Sequence, residues 1–374
     1  LTRIAIVGCG VVGAAIAYEL SLNPEFEVLV FEAKTPGNAS TSAALGILVA
    51  VISQKVKGRN WTLRAQSLQR YQTLIPELEA TTGQTIDRNT EGLLDLCFEI
   101  ENLPRWESLK AIRRNQGYDL AIWSPDRVAQ TCPHVSTNSI AAGIFSPQDF
   151  QVNPVSLTSA LVEAATLNGV QFYFEQPVID FEAPTTSDGH SCKAIITPHN
   201  TVEVDGVVLA SGLGTTPLTH KLSQPAAIGP VLGQGLELQL DHTLGDPGFQ
   251  PVLNGEDIHV VPLGQGRYWV GATVEFPPDT TVEEVFDLKP EVKRLDEMLQ
   301  QAIAFCPGLA QGTIVRTWFG LRPRPQGQAA PVIKAIEGYA NIWLATGHYR
   351  NGVLLAPATA LKVKHMLSQA LLNP

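Results

Sequence analysis

Arg350 sits in "LATGHYRNGVLLAPATAL", residues 344–361, as a cation among aliphatic residues and between Gly347 and Gly352. A guanidinium stays charged at every working pH and grips carboxylates with two parallel hydrogen bonds. Its placement asks for an anion. At the other end of the chain, Gly8-x-Gly10-x-x-Gly13 lies between an apolar run, "RIAIV", and a helical pattern that starts with Val11 and Val12. The first glycine of such a motif permits a tight turn and the second lets backbone approach a pyrophosphate. The third lets helix and strand pack closely, while the helix amides face the phosphate. Glu32 ends the next apolar run, where a carboxylate can accept bonds from ribose hydroxyls. This is a dinucleotide fingerprint, and on its own it does not separate NAD from FAD.

The elements around these residues alternate. "RIAIV", "VVGAAIAYELSL" and "FEVLVFEA" make one β-α-β unit, and an apolar stripe from Trp61 to Leu78 predicts a helix over 60–83. Residues 86–150 read as short segments and turns. "NPVSLTSALVEAATLNG" is a helix opened by Asn153-Pro154 and closed by Gly169. "VQFYFEQPVIDFEA" and "TVEVDGVVLASG" are strands, and the runs "GLELQL", "DIHVVPL" and "RYWVGATVEF" predict an antiparallel sheet. "NIWLATG" is a last strand feeding a helix from Gly352. The expected division is 1–85, 146–219 and 330–374 in one domain, with 86–145 and 220–329 in a second.

Composition excludes some classes. The chain has 374 residues, 44% hydrophobic, with 26 basic against 36 acidic side chains and a net charge of −10. That argues against a nucleic-acid partner and against adhesion to anionic lipid. Five scattered cysteines at 9, 97, 132, 192 and 306 form no C-x-x-C pair and read as buried thiols, with no metal site. The strongly apolar run at 43–52 is about half what a bilayer requires, so no integral membrane segment is expected. No signal peptide pattern precedes the first strand, and the expected location is cytoplasmic.

These motifs resemble the glycine oxidase branch of the D-amino acid oxidase family, FAD-dependent amine oxidoreductases. The resemblance spans nearly the whole chain. It rests on the fingerprint with Glu32, "STSAALG" at 40–46, "DGVVLASG" at 205–212, "GPVLGQ" at 229–234, "VGAT" at 270–273, "GLRP" at 320–323 and "GHYRNGVLLAP" at 347–357. It implies an α/β fold, with a Rossmann-like FAD domain of the glutathione-reductase-related type and an antiparallel substrate domain. Gly8, Gly10, Val11, Val12, Gly13, Glu32 and Ala33 would bind the nucleotide half of FAD, with Val178 on the adenine side. Ser40, Thr41, Leu45, Gly46 and Ile47 would pass the flavin, along with Ser211 and Gly212. Gly347, His348, Arg350, Asn351, Gly352, Val353 and Leu354 would wrap the isoalloxazine ring. Arg322, which alone would read as a structural ion pair, becomes the residue that holds a substrate carboxylate, with Arg350 beside it.

The implied reaction is oxidation of glycine, another small amino acid or a secondary amine by hydride transfer from the α-carbon to flavin N5. Reoxidation by oxygen would give hydrogen peroxide, and a quinone acceptor fits the same motifs. Three departures bear on substrate. His259 stands where these oxidases carry a tyrosine, and protonated near neutrality it would add a cation beside Arg322. "RPRPQGQAAPVI" adds Arg324, which by itself reads as a solvated loop arginine. No cysteine lies near Arg322, so the FAD is expected to be noncovalent. The rival readings are a D-amino acid dehydrogenase feeding quinones, a catalytically silent flavin-binding assembly protein and an NAD-dependent dehydrogenase.

Overall fold

Strand Thr2–Val7 buries its last four residues, because it runs at the middle of a parallel sheet covered on both faces. A computed structural model describes residues 1–186, 189–222, 224–277 and 290–372. The six strands follow the order Val332–Ala335, Ile342–Thr346, Gly206–Leu209, Thr2–Val7, Phe26–Phe31 and Gln171–Tyr173. All neighbours are parallel except Val332–Ala335 at one edge.

Successive residues in these strands feed different layers, as the two-residue strand period demands. Ile4, Ile6, Val28, Val30 and Val208 pack with helices Val11–Ser21, Gly58–Thr82, Pro154–Leu167 and Gly352–Leu367. Ala5, Val7, Leu29, Phe31 and Val207 face the opposite way, against Ile195 and Val202 of a small antiparallel sheet. Its strands are Asp180–Glu182, Ala194–Ile196 and Thr201–Glu203. Helix layer, parallel sheet and small sheet make the Rossmann-like part.

An eight-stranded sheet stands beside it, in the order Thr313–Pro325, Ile228–Gln239, Arg267–Gly271, Ile258–Gly264, Val252–Gly255, Leu93–Cys97, Ala142–Ser146 and Ala121–Trp123. It is antiparallel except where Val252–Gly255 meets Leu93–Cys97. Leu94, Leu253, Val260 and Val270 face a core closed by helix Val292–Phe305. The next row in register, Asp95, Asn254, His259 and Gly271, therefore points to the other face.

Two helices, Leu103–Asn115 and Pro125–Thr131, occupy the stretch that reads as turns in the sequence. The first buries Leu109 and, unexpectedly, Arg113. That guanidinium stacks on Trp61 at 3.7 Å and donates to the carbonyls of Val51 (2.6 Å), Ser53 (2.7 Å) and Lys55 (3.1 Å). A buried cation at a core position hides the helix's apolar period.

Candidate active site

The glycine loop closes tightly on its surroundings. Gly8 has φ +103°, and a Cβ there would fall 2.7 Å from the Ala210 carbonyl oxygen. A Cβ on Gly13 would lie 2.0 Å from the Gly8 oxygen, so helix and strand approach only because both residues are glycine. Gly10 is open apart from the Thr41 hydroxyl, 3.2 Å from such a Cβ. That hydroxyl accepts the Val11 amide at 3.0 Å, and Val12, half-buried, follows in the first turn of the helix. The Glu32 carboxylate accepts the amides of Cys9 (2.7 Å) and Lys34 (2.9 Å). Two amides use about half of a carboxylate's acceptor capacity. The remainder can take ribose hydroxyls at the carboxyl ends of the parallel strands. Ala33 is exposed beside it, and buried Val178 follows two residues after Gln176, whose amide donates to the Glu32 carbonyl at 2.9 Å. These residues fit a dinucleotide.

Loop 40–47 ties the two sheets together. The Ser40 hydroxyl donates to the Leu321 carbonyl at 2.5 Å, and Trp318 Nε1 donates to the Ala43 carbonyl at 3.1 Å. Gln151 Nε2 holds the Leu45 carbonyl at 2.9 Å, Gly46 packs on the Val152 carbonyl and Ile47 pairs with Gln151. Just beyond, buried Asp149 accepts three successive amides, Ala50, Val51 and Ile52, at 2.7–2.8 Å. Ser211 and Gly212 lie at the end of strand Gly206–Leu209. There the Ser211, Thr215 and Thr346 hydroxyls form a chain that ends on the Gly212 carbonyl.

The segment from Gly347 follows strand Ile342–Thr346 directly. Gly347 packs on Pro325, and buried His348 bonds the Thr359 hydroxyl at 2.9 Å. Burial, then the Arg59 charge, push the His348 pKa down to about 3. Asn351 accepts from Arg64 at 3.1 Å, and Gly352 opens the last helix. The Val353 carbonyl takes the Tyr71 hydroxyl at 2.5 Å, and Leu354 is fully buried.

Arg322 rests on Gly233, where a Cβ would sit 2.3 Å from both of its Nη atoms. It donates to the Leu232 carbonyl at 3.1 Å, and among the described residues no carboxylate stands within ion-pair distance. Burial, then the neighbouring charge of Arg350, lower its pKa to about 10. Arg350 is more exposed than its aliphatic sequence context implies, and it pairs with Asp257 at 3.3 Å. Arg324 is exposed too, with its guanidinium over the rings of Phe276 and Tyr349.

His259 is half-buried beside these groups, its ring bonded to the backbone of Gly271. Burial pushes its pKa down to about 4, and Arg350 adds to the effect against the opposing pull of Asp257. Burial and Arg350 thus disfavour the protonated imidazole expected near neutrality, against the opposing pull of Asp257 and the Gly271 backbone.

The family pattern described as FAD dependent oxidoreductase matches residues 3–366. The chain belongs to that family. It is 29% identical to glycine oxidase of Bacillus subtilis (strain 168) over 369 residues, covering 98% of this chain and 93% of that protein. It is also 29% identical to the bifunctional protein ThiO/ThiG of Synechocystis sp. (strain ATCC 27184 / PCC 6803 / Kazusa), covering 99% of this chain and 52% of that protein. The crystal structure of glycine oxidase from Geobacillus kaustophilus superposes with a TM-score of 0.84 at 28% identity, covering 97% of this chain and 94% of that one. L-proline dehydrogenase from P. horikoshii shares the fold, with a TM-score of 0.85 at 20% identity. This glycine oxidase-like oxidoreductase thus uses FAD. Loop 40–47 meets the glycine loop through Thr41 and Val11, and the long strand that carries Arg322 through Ser40 and the Leu321 carbonyl. Gly233 and Tyr349 lie inside quoted motifs but carried no signal of their own, and Asp257 and Asp149 had none.

Proposed function

We propose that the protein oxidises glycine, another small amino acid or a secondary amine at its α-carbon, with Arg322 holding the substrate carboxylate. The supporting observation is Arg322 itself. A half-buried guanidinium with one backbone acceptor and no carboxylate partner among the described residues presents its remaining donors to a ligand. In that partly desolvated place the attraction exceeds its value in water.

When bound, FAD supplies the hydride acceptor. The chain's own residues orient and shield. Gly233 and the Leu232 carbonyl fix the clamp, and neutral His259 offers hydrogen bonding without a competing charge. Holding the reacting carbon in place is the larger part of such catalysis. The oxidised amine then takes up water and splits into an oxo acid and the freed nitrogen, as ammonia from a primary amine or as a primary amine from a secondary one.

Noncovalent FAD is supported by the thiols. All five cysteines are free and buried, and burial pushes Cys9, Cys132 and Cys306 up to about 12. Among the described residues no helix is long and apolar enough to cross a membrane. An oxygen electrode with a peroxide assay tests the reaction on glycine, N-methylglycine and small amino acids of both hands. Oxygen uptake matched by peroxide is the expected result. Flavin reduction without oxygen uptake would assign a quinone as acceptor, and no reduction by any amine would leave a silent flavoprotein.

A further inference from the structure

Two guanidinium groups flank Tyr349, and a third, Arg322, is close enough to feel its charge. Arg324 lies two residues beyond Arg322 on strand Thr313–Pro325, so both side chains leave the same face. The Arg324 and Arg350 guanidinium carbons are 5.9 and 5.8 Å from the Tyr349 centroid, and Arg322 feels the charges of Arg350 and Tyr349. Among the described residues a single carboxylate stands within ion-pair distance of the three, Asp257 against Arg350. Glu275 is also felt at Arg322, but its carboxylate is taken by Gln234 (2.7 Å) and the Thr273 hydroxyl (2.6 Å). A chain of net charge −10 that collects three cations in one place attracts anions there.

Asp257 shows what Arg350 accepts. Its side chain is 74% exposed, on the turn between strands Val252–Gly255 and Ile258–Gly264. Glu256 and Asp257 have φ of +51° and +68°, a hairpin geometry that glycine or asparagine adopts more readily. An exposed carboxylate on a strained turn, 3.3 Å from its partner, is easily replaced by a better-placed one.

We infer that the preferred substrate carries a second anionic group, as an acidic amino acid or dicarboxylic amine does. Its α-carboxylate lies at Arg322, and its second carboxylate takes the place of Asp257 at Arg350. The inference rests on the proposed role of Arg322 and names the substrate class of that same site. An opposite preference, for a cationic side chain at Asp257, is disfavoured because Arg350 already neutralises that carboxylate.

Ligands without an amine test this apart from turnover. The FAD-loaded protein is titrated with acetate and with succinate at constant ionic strength, following the visible flavin spectrum. Succinate is expected to bind about fivefold more tightly than acetate, the upper range for one exposed ion pair. Asp257→Asn should widen that ratio, and Arg350→Gln should return it to the statistical factor of two for two carboxylates. A wild-type ratio of two or less, or a preference that survives Arg350→Gln, overturns the inference. If Arg350→Gln loses its flavin, the Asp257→Asn ratio decides, and no widening counts against it. If acetate leaves the spectrum unchanged, Arg322 is no clamp, and the proposed function fails together with this inference. If acetate binds and succinate binds no better, this inference alone fails.

Discussion

Arg322 lays its guanidinium on Gly233, the residue of the neighbouring strand where a Cβ would come within 2.3 Å of both Nη atoms. The clamp's position is thus set by an absent side chain. Gly233→Ala should push Arg322 out of place and lower kcat/KM by about 10- to 100-fold, since a shift of roughly 1 Å in a positioning group costs that much. Flavin content should stay near wild type. Steady-state kinetics beside the ratio of flavin to protein absorbance check both points.

Removing the clamp should cost more. Arg322→Ala deletes one partner of a desolvated charge pair, a loss of about 2–5 kcal/mol. That corresponds to a fall of about 30-fold to several thousand-fold in kcat/KM. Arg322→Lys should recover only part, because an ammonium cannot make the two-pronged contact.

The glycine loop makes a separate prediction about cofactor. Gly13→Val places side-chain atoms where the Gly8 carbonyl oxygen lies 2.0 Å from a mere Cβ. The helix must retreat from the strand, and the protein should purify with little or no FAD. Gly10→Ala, with only a hydroxyl at 3.2 Å, should fold normally and lose FAD affinity instead. Reconstitution titrations of the apoprotein measure both.

Acid should weaken the fold through its buried histidines. Burial puts the folded-state pKa of His348 near 3, below the ordinary value of about 6.5. The unfolded chain then binds the extra proton first, so stability is fully present above about pH 6.5. It falls by about 1.4 kcal/mol per pH unit as acid is added towards pH 3. His348→Gln, which keeps a polar partner for Thr359, should flatten that slope in urea denaturation at stepped pH. His259, near 4, contributes in the same sense, and His259→Tyr should leave the pH profile of kcat/KM between about pH 6 and 8 unchanged.

How much of this was legible in sequence follows from chain separation. Gly8, Gly13 and Glu32 announce themselves because their spacing falls within one short β-α-β unit, where Gly13 packs on Gly8 and Glu32 takes the Cys9 amide, although Gly8 also packs on distant Ala210. The buried strands "RIAIV" and "EVLVF" show as unbroken apolar runs because both faces are covered. Helix Val292–Phe305 goes unassigned, although Leu295, Met298, Leu299, Ala302 and Phe305 carry helical spacing. Arg113 and Asp149 are different. A buried cation and a buried anion that serve backbone groups far along the chain leave no local pattern. The Asp257–Arg350 pair spans 93 residues, and only the folded sheet brings it together. Nor could composition show that His259 stays neutral, since that depends on Arg350 and on burial.

Anaerobic mixing of the FAD-loaded protein with an amine panel, glycine and acidic amino acids included, tests the assignment of amine oxidation most directly. At least one amine should bleach the flavin of the wild-type protein, and bleaching should slow by about 30-fold or more in Arg322→Ala. A flavin that dithionite reduces but no amine does, or equal bleaching in wild type and Arg322→Ala, would contradict it.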